Sequence, residues 1–514
     1  MTRSITSRAA AAAVIALTLA AGCSSNTEPA AAPGTSGAVA SGTTPGTTAR
    51  ATVERPAGPA ADVSEELTGG NGVFLGQITG VDLAGNGYVE HEYVAAGTAT
   101  TYVADGDPAD DGAIDVTEGE TDDYRTRIVV RRPENPDDFN GTVVMEWLNV
   151  SGGLDANPDF SYAADELLRN GYAWVGVSAQ KIGVEGGEVA VTVPIGEGLS
   201  GQGLKALDPA RYGTLSHPGD GYSYDIFTQV ARAVRGEGGA DLLGGAEVDQ
   251  ILAAGESQSG FALTTYVNAI APETQAFDGY LIHSRGGPGL PLGTPGAAIS
   301  IVDAITGGPT TIRGDIAVPV LQLETETDLV SVIGFLPARQ PDTDLLRTWE
   351  VAGTAHADRG LIGPVADSLD CGAPINDGPH GFAVRSALRH LDTWVRTGEA
   401  PPTMPQLEID ESGDSPAIAR DADGIALGGI RYPVVDVPVQ VLSGDPGPAP
   451  DIICLLTGTT NPIPAERLAE LYASPDAYTA AFTEATDAAI ATGALLAEDR
   501  QAMLDEAQPE LLTP

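Results

Sequence analysis

Ile251-Leu-Ala-Ala-Gly-Glu-Ser257-Gln-Ser-Gly260 is an apolar strand running into a turn of small residues, and a helix-forming run from Phe261 to Ile270 follows it. A serine at the apex of such a tight strand-to-helix turn exposes its hydroxyl. The N–H of the next residue then faces any carbonyl that the hydroxyl attacks. The positive end of the following helix favours negative charge developing at that point. Gly255 holds the first place of a G-x-S-x-G pattern, but Ser259 stands at the fifth and Gly260 comes one residue later. Serine is small, so the close packing needed at that place survives. Gly-rich strand ends with a serine also occur as plain turns, so the stretch gains meaning only from an acid and a histidine in the right order.

Working outward, 142–150 reads as a strand, 160–169 as a helix, 172–178 as a strand and 223–235 as a helix, before 250–255 feeds Ser257. Downstream come a helix at 261–270, strands at 277–283, 318–325 and 346–352, and a helix at 382–396. This alternation predicts an α/β class chain with a mostly parallel sheet covered on both faces. Short strands at 73–78, 87–94, 100–103 and 124–131 precede it; a Gly/Pro-rich stretch with helices at 465–472 and 475–506 follows. Two Gly/Pro-rich loops, 181–222 and 284–315, fall at strand ends, where such sheets hold ligands. They are the expected substrate-shaping elements.

Six histidines compete for the role of base: His91, His217, His283, His356, His380 and His390. The base must sit just past the last core strand, at the sheet edge that carries the nucleophile. The run from Leu346 to His356 meets that condition, with an apolar strand, a small-residue turn and then the histidine; His380 is the reserve. The acid should follow the strand that begins at Val318-Pro319, and Asp328 lies nine residues after the proline. Glu326 is the alternative acid, and Glu324 is expected to point into the strand. The chain order Ser257, Asp328, His356 is that of the α/β-hydrolase fold, unlike other serine hydrolase scaffolds. The oxyanion would be held by the Gln258 N–H and by backbone N–H groups near Asn149 and Val150, in the turn after 142–150.

The chain has 514 residues and a formal net charge of −45. That charge argues against nucleic acid or anionic lipid as partner, since both are bound by basic patches. The first 22 residues have a charged start and an apolar stretch, and Cys23 follows Ala20-Ala21-Gly22. This is the form of a bacterial lipoprotein signal, with Cys23 as the lipidated residue. The stretch 23–65, rich in Ala, Gly, Ser, Thr and Pro, is expected to be a disordered tether. If Cys23 carries lipid, Cys371 and Cys454 remain as a pair, and in an exported protein they are expected to form a disulfide. Asp105-Gly-Asp107 and Asp110-Asp111-Gly112 superficially suggest calcium, but their spacing is not that of an EF-hand loop. No histidine or cysteine spacing suits a metal, and the chemistry requires no cofactor.

Eight stretches resemble, in order, a family of largely uncharacterised exported bacterial α/β-hydrolase-domain proteins: GYVEHEY (87–93), YRTRIVVRRPENPDDFNGTVVMEWLNVSGG (124–153), RYGTLSHPGDGYSYDIF (211–227), ESQSG (256–260), VPVLQLETETD (318–328), WEVAGTAHAD (349–358), CGAPINDGPHGF (371–382) and DGIALGGIRYP (423–433). The resemblance covers about 66–475 and implies the α/β-hydrolase fold; the chain pattern places that domain over 66–400, with 401–514 as a C-terminal extension packed on it. The resemblance also implies a serine hydrolase in which Ser257 and His356 act. The expected activity is cleavage of a small-molecule or lipid-like carboxylic ester outside the cytoplasm, by a protein that meets the membrane only through its lipid anchor. A cell-envelope acyltransferase with the same triad and a catalytically idle binding lipoprotein are the competing expectations.

Overall fold

The apolar runs pair as strands β1 (Tyr88–Ala104), β2 (Val116–Pro133), β3 (Thr142–Trp147), β4 (Ala173–Val177), β5 (Gln250–Glu256), β6 (Gly279–His283), β7 (Val320–Thr325) and β8 (Leu346–Val351). They form one sheet of order β1-β2-β4-β3-β5-β6-β7-β8. A computed structural model describes residues 55–512 of the chain, except 78–79, 107, 110, 192–195 and 239–240. The signal segment, Cys23, most of the expected tether, Asp107 and Asp110 therefore lie outside the described residues. The described residues belong to one unit, Arg50–Pro514.

From β4 through β8 neighbouring strands are parallel, while β1, β2 and β4 pair antiparallel. β3, β5, β6 and β7 are buried at every position. That is why their sequences read as near-continuous apolar runs rather than alternating ones. Successive side chains still go to opposite faces. Val143 and Met145 join the cluster that includes helices α2 (Ser223–Arg232) and α3 (Gln258–Thr265). Val144, Leu252 and Trp349 join the cluster on the other face, with α1 (Pro158–Arg169) and α5 (His380–Thr397). The C-terminal segment packs on that second cluster through Tyr432, Tyr478, Phe482 and Met503. A short helix, α4 (Glu326–Val330), follows β7 directly.

Three expectations change. The stretch 73–78 forms no strand among its described residues; instead the Phe74 carbonyl accepts from the buried Arg127 guanidinium at 2.5 Å. The strands expected at 87–94 and 100–103 are one long strand, because the whole of β1 pairs with β2 in a hairpin. The end of the expected tether is docked: Asp62 bridges Ala96 and Glu66 bridges Tyr93, with Ala61 and Val63 fully buried. The outer edge of β1 would otherwise present unpaired N–H and C=O groups, and this segment covers them.

The Cys371–Cys454 disulfide is present. It joins the loop before α5 to the C-terminal segment, within a small cluster that includes Ile453.

Candidate active site

β3, β5, β6, β7 and β8 run parallel, so the turns that leave them gather at one edge of the sheet. Ser257 is the apex of the turn between β5 and α3, with φ 56° and ψ −122°. A non-glycine residue held there carries strain of roughly 1–3 kcal/mol, sustained only when its surroundings fix it. Here the Ser257 N–H donates to the His283 carbonyl at 3.0 Å, and its own carbonyl accepts from the Phe261 N–H at 3.0 Å. The turn's two glycines answer to close approach. A Cβ on Gly255 would lie 2.9 Å from the Ser259 backbone, and one on Gly260 would lie 2.9 Å from the His283 carbonyl oxygen. The residue that must be glycine on the helix side is therefore the sixth, and the fully buried Ser259 fits at the fifth.

His356 leaves β8 through a turn in which Gly353 has φ 74°. The carbonyl of Gly353 accepts from the buried Asn376 amide at 3.1 Å. The Ala357 N–H donates to the Leu456 carbonyl at 3.0 Å, which ties the histidine loop to the C-terminal segment. His356 Nε2 lies 2.8 Å from Ser257 Oγ, and its Nδ1 lies 2.6 Å from Asp328 Oδ1. With the carboxylate accepting from Nδ1–H, Nε2 is left to accept from the serine hydroxyl. The other carboxylate oxygen, Oδ2, accepts from both the N–H and the hydroxyl of Thr325, each at 2.7 Å. Burial alone would raise the Asp328 carboxyl, but the His356 ring and the Thr325 bonds outweigh it and hold it below its ordinary value. Burial would lower the His356 imidazole, but Asp328, with help from Glu256, overcomes this and raises it.

Glu326 is turned away from the histidine. It accepts from the Gly353 N–H at 2.5 Å, the Gly444 N–H at 2.9 Å and Arg420 Nη2 at 2.7 Å. The alternative acid is thus a brace between the β8 turn and the C-terminal segment. Glu324 is fully buried, and burial, followed by the nearby Asp328, holds its carboxyl well above the ordinary range. His380, the reserve base, does not reach the serine. Its Nε2 lies 2.7 Å from Nε2 of His283, whose Nδ1 lies 2.9 Å from Asp159. Burial lowers both the His283 and His380 imidazoles and raises the Asp159 carboxyl, so it favours the neutral form of every member of this row.

Of the expected oxyanion donors, Gln258 opens α3, where an N–H has no intrahelical acceptor. The Val150 N–H has no backbone acceptor among the described residues. The Asn149 N–H is committed to the Ala156 carbonyl at 2.9 Å, so that expectation is corrected. That bond closes the 149–156 loop and leaves the next N–H open. Asn149 serves through its side chain instead, donating to the Glu256 carbonyl at 3.1 Å and to its carboxyl at 3.2 Å.

Glu256 is the residue that sequence reasoning missed. Its carboxyl is buried 3.4 Å from His356 Nε2, on the serine side of the ring. Burial raises it to about 8. It is the last strand residue before Ser257, and it joins the site through the approach of His356, a segment distant in sequence. Among the described residues, no group of three or more His, Cys, Asp or Glu side chains is disposed to hold a metal ion.

A parallel sheet with a serine, an imidazole and a carboxylate in line at its edge defines an α/β hydrolase. Residues 47–505 match the family model for the alpha/beta hydrolase domain, and the chain belongs to that family. No curated protein matches it. Solved structures with a similar fold include an α/β serine hydrolase without a lid from Xanthomonas campestris, 12% identical, covering 57% of this chain and 94% of that one, with a TM-score of 0.29. A fungal esterase from Rhizomucor miehei is 10% identical, over 59% and 85% of the two chains, with a TM-score of 0.30. An α/β serine hydrolase homologue from Coxiella burnetii is 16% identical, over 45% and 84%, with a TM-score of 0.24.

Proposed function

We propose that this hydrolase is an exported serine esterase that cleaves a carboxylic ester through an acyl-enzyme. The observation that carries the reading is the unbroken line from Ser257 Oγ through His356 to Asp328, at 2.8 and 2.6 Å. His356 Nε2 takes the hydroxyl proton as Ser257 Oγ attacks the ester carbonyl. The oxygen that becomes negative is held by the N–H groups of Gln258 and Val150, each donor contributing about 3 kcal/mol to lowering the barrier. The imidazolium then returns its proton to the leaving alkoxide, and the alcohol departs. Water, deprotonated by the same nitrogen, attacks the acyl-enzyme; the acid is released and the serine regains its proton.

The leader and Cys23 fit a chain exported and held by lipid on the outer face of the cytoplasmic membrane, and a disulfide suits an oxidising compartment. Incorporation of labelled palmitate by wild type and not by Cys23→Ala tests the anchor. For the chemistry, a fluorophosphonate probe should label wild type at Ser257 and leave Ser257→Ala unlabelled, and the same substitution should abolish ester cleavage. Equal labelling and turnover in the two proteins would overturn the reading.

A further inference from the structure

Beside the oxyanion turn lies a cavity of about 230 Å³ whose wall includes Val150, Gln258, Ile182, Val189, Ile299 and Val302. Its two sides come from the two loops that sequence reading singled out, and both are fastened. The first is pinned to the β3 turn where the Val191 N–H donates to the Ser151 carbonyl at 3.0 Å and the Gly201 N–H donates to the Gly153 carbonyl at 2.9 Å. The second is tied to the first by one fully buried carboxylate. Asp220 Oδ1 accepts from the Lys181 N–H at 2.6 Å, and Oδ2 accepts from the Ile299 N–H at 2.7 Å.

Position decides which part of a substrate this cavity takes, given the ester chemistry proposed above. In the tetrahedral intermediate the reacting carbon carries the serine oxygen, the oxyanion, the leaving oxygen and the acyl chain. The leaving oxygen must lie within reach of His356 Nε2, which hands it a proton. The cavity borders the oxyanion donors, and neither His356 nor Ser257 lines it. The substituent on that side is the acyl chain.

Chemistry decides the class of chain. Eight of the twelve wall residues are aliphatic, Ser151, Gln258 and Ser300 are polar and uncharged, and the charged group among them is the Glu188 carboxylate, which repels an anionic acyl group. The aliphatic lining continues outward, for Val302 at the wall is 52% exposed. Ile452, in the wall of a neighbouring cavity that shares Ala190, is 48% exposed. The volume falls below the ~300–1,000 Å³ usual for sites that enclose drug-sized ligands. We propose that this cavity is an acyl pocket for neutral aliphatic chains of short to medium length, and that Asp220 is the positioning residue that holds its two walls together.

The test uses p-nitrophenyl esters from acetate to palmitate on the full chain. In parallel, alkanesulfonyl fluorides of the same lengths are used, since their alkyl group occupies the acyl position when they react with the serine. Each methylene added from acetyl should raise kcat/KM and the labelling rate about fourfold while the pocket is filling, with a fall before palmitate. Val302→Trp, at an exposed position, should move the optimum to shorter chains; Ile299→Ala should move it to longer ones. Rates flat or falling from acetyl upward, palmitate as the best substrate, or neither variant moving the optimum would overturn the acyl pocket. If no ester turns over and no fluoride reaches Ser257, the esterase reading fails first. If Ser257 reacts without regard to chain length, the pocket assignment alone fails.

Discussion

Replacing Asp328 by asparagine keeps size and shape, and the structure fixes how the new amide must sit. Oδ2 of Asp328 accepts from the Thr325 N–H, which can only donate. The amide oxygen must therefore remain on that side, and the NH2 group faces His356 Nδ1, now 2.6 Å from a carboxylate oxygen. Two donors cannot face each other, so the imidazole shifts its proton to Nε2 and can no longer accept one from Ser257. A wrong-tautomer defect of this kind lowers kcat by about 10⁴-fold, or about 5 kcal/mol of barrier, with the fold intact. Glu326→Gln is the control. Both Glu326 oxygens accept from backbone N–H groups, so an NH2 placed against either leaves a buried donor unpaired and costs about 1–3 kcal/mol of stability. Turnover by the folded protein should stay close to wild type. The assay pairs initial rates on a short-chain ester with thermal melts of both variants. Near-normal turnover in Asp328→Asn, together with loss of turnover at an unchanged Tm in Glu326→Gln, would show that the acid had been assigned to the wrong carboxylate.

Other consequences can be checked with the same preparations. His356 must be neutral to act as base, and Asp328 with Glu256 raises it, so the acid limb of kcat/KM should lie above the ordinary histidine value of about 6.5. Glu256→Gln removes whatever negative charge that carboxyl carries there, so it should move that limb to lower pH or leave it in place; an upward shift in the pH profile would count against the contact. Asp220→Asn places an NH2 against the N–H of Lys181 or Ile299 and should raise KM for longer acyl chains more than for acetate, read from Michaelis curves along the ester series. Gly260→Ala forces a Cβ to within 2.9 Å of the His283 carbonyl oxygen, so soluble yield and fluorophosphonate labelling should both collapse. Replacing Cys371 and Cys454 together by serine should cost about 2–5 kcal/mol in denaturant unfolding, because an unfolded chain without the bridge gains entropy.

Much of the site was legible because its signals are local. The strand, the small-residue turn and the following helix present Ser257 through contacts only a few residues apart in sequence. The strand–turn–histidine run to His356 has the same character, as does the spacing of Asp328 from Pro319. The choice between Asp328 and Glu326 was not legible. The two carboxylates stand two residues apart on one helical turn, and what separates them is what lies opposite: His356 for one, and Gly353, Gly444 and Arg420 for the other. The Asn149 N–H was misjudged because the Asn149–Ala156 bridge closes a loop whose path sequence does not encode.

Chain order, apolar periodicity and turn chemistry by themselves determined an α/β sheet with a serine, an acid and a histidine at the ends of its strands. Such properties reside in neighbouring residues and survive without knowledge of anything distant. Tertiary structure alone decided which carboxylate meets the imidazole, that Glu256 crowds the serine side of the same ring, and that Asp220 joins two loops into one pocket. Each of those depends on a hydrogen bond or an ångström-scale approach between segments tens of residues apart. A distance of that kind is fixed only when the whole sheet has been assembled and its two faces packed.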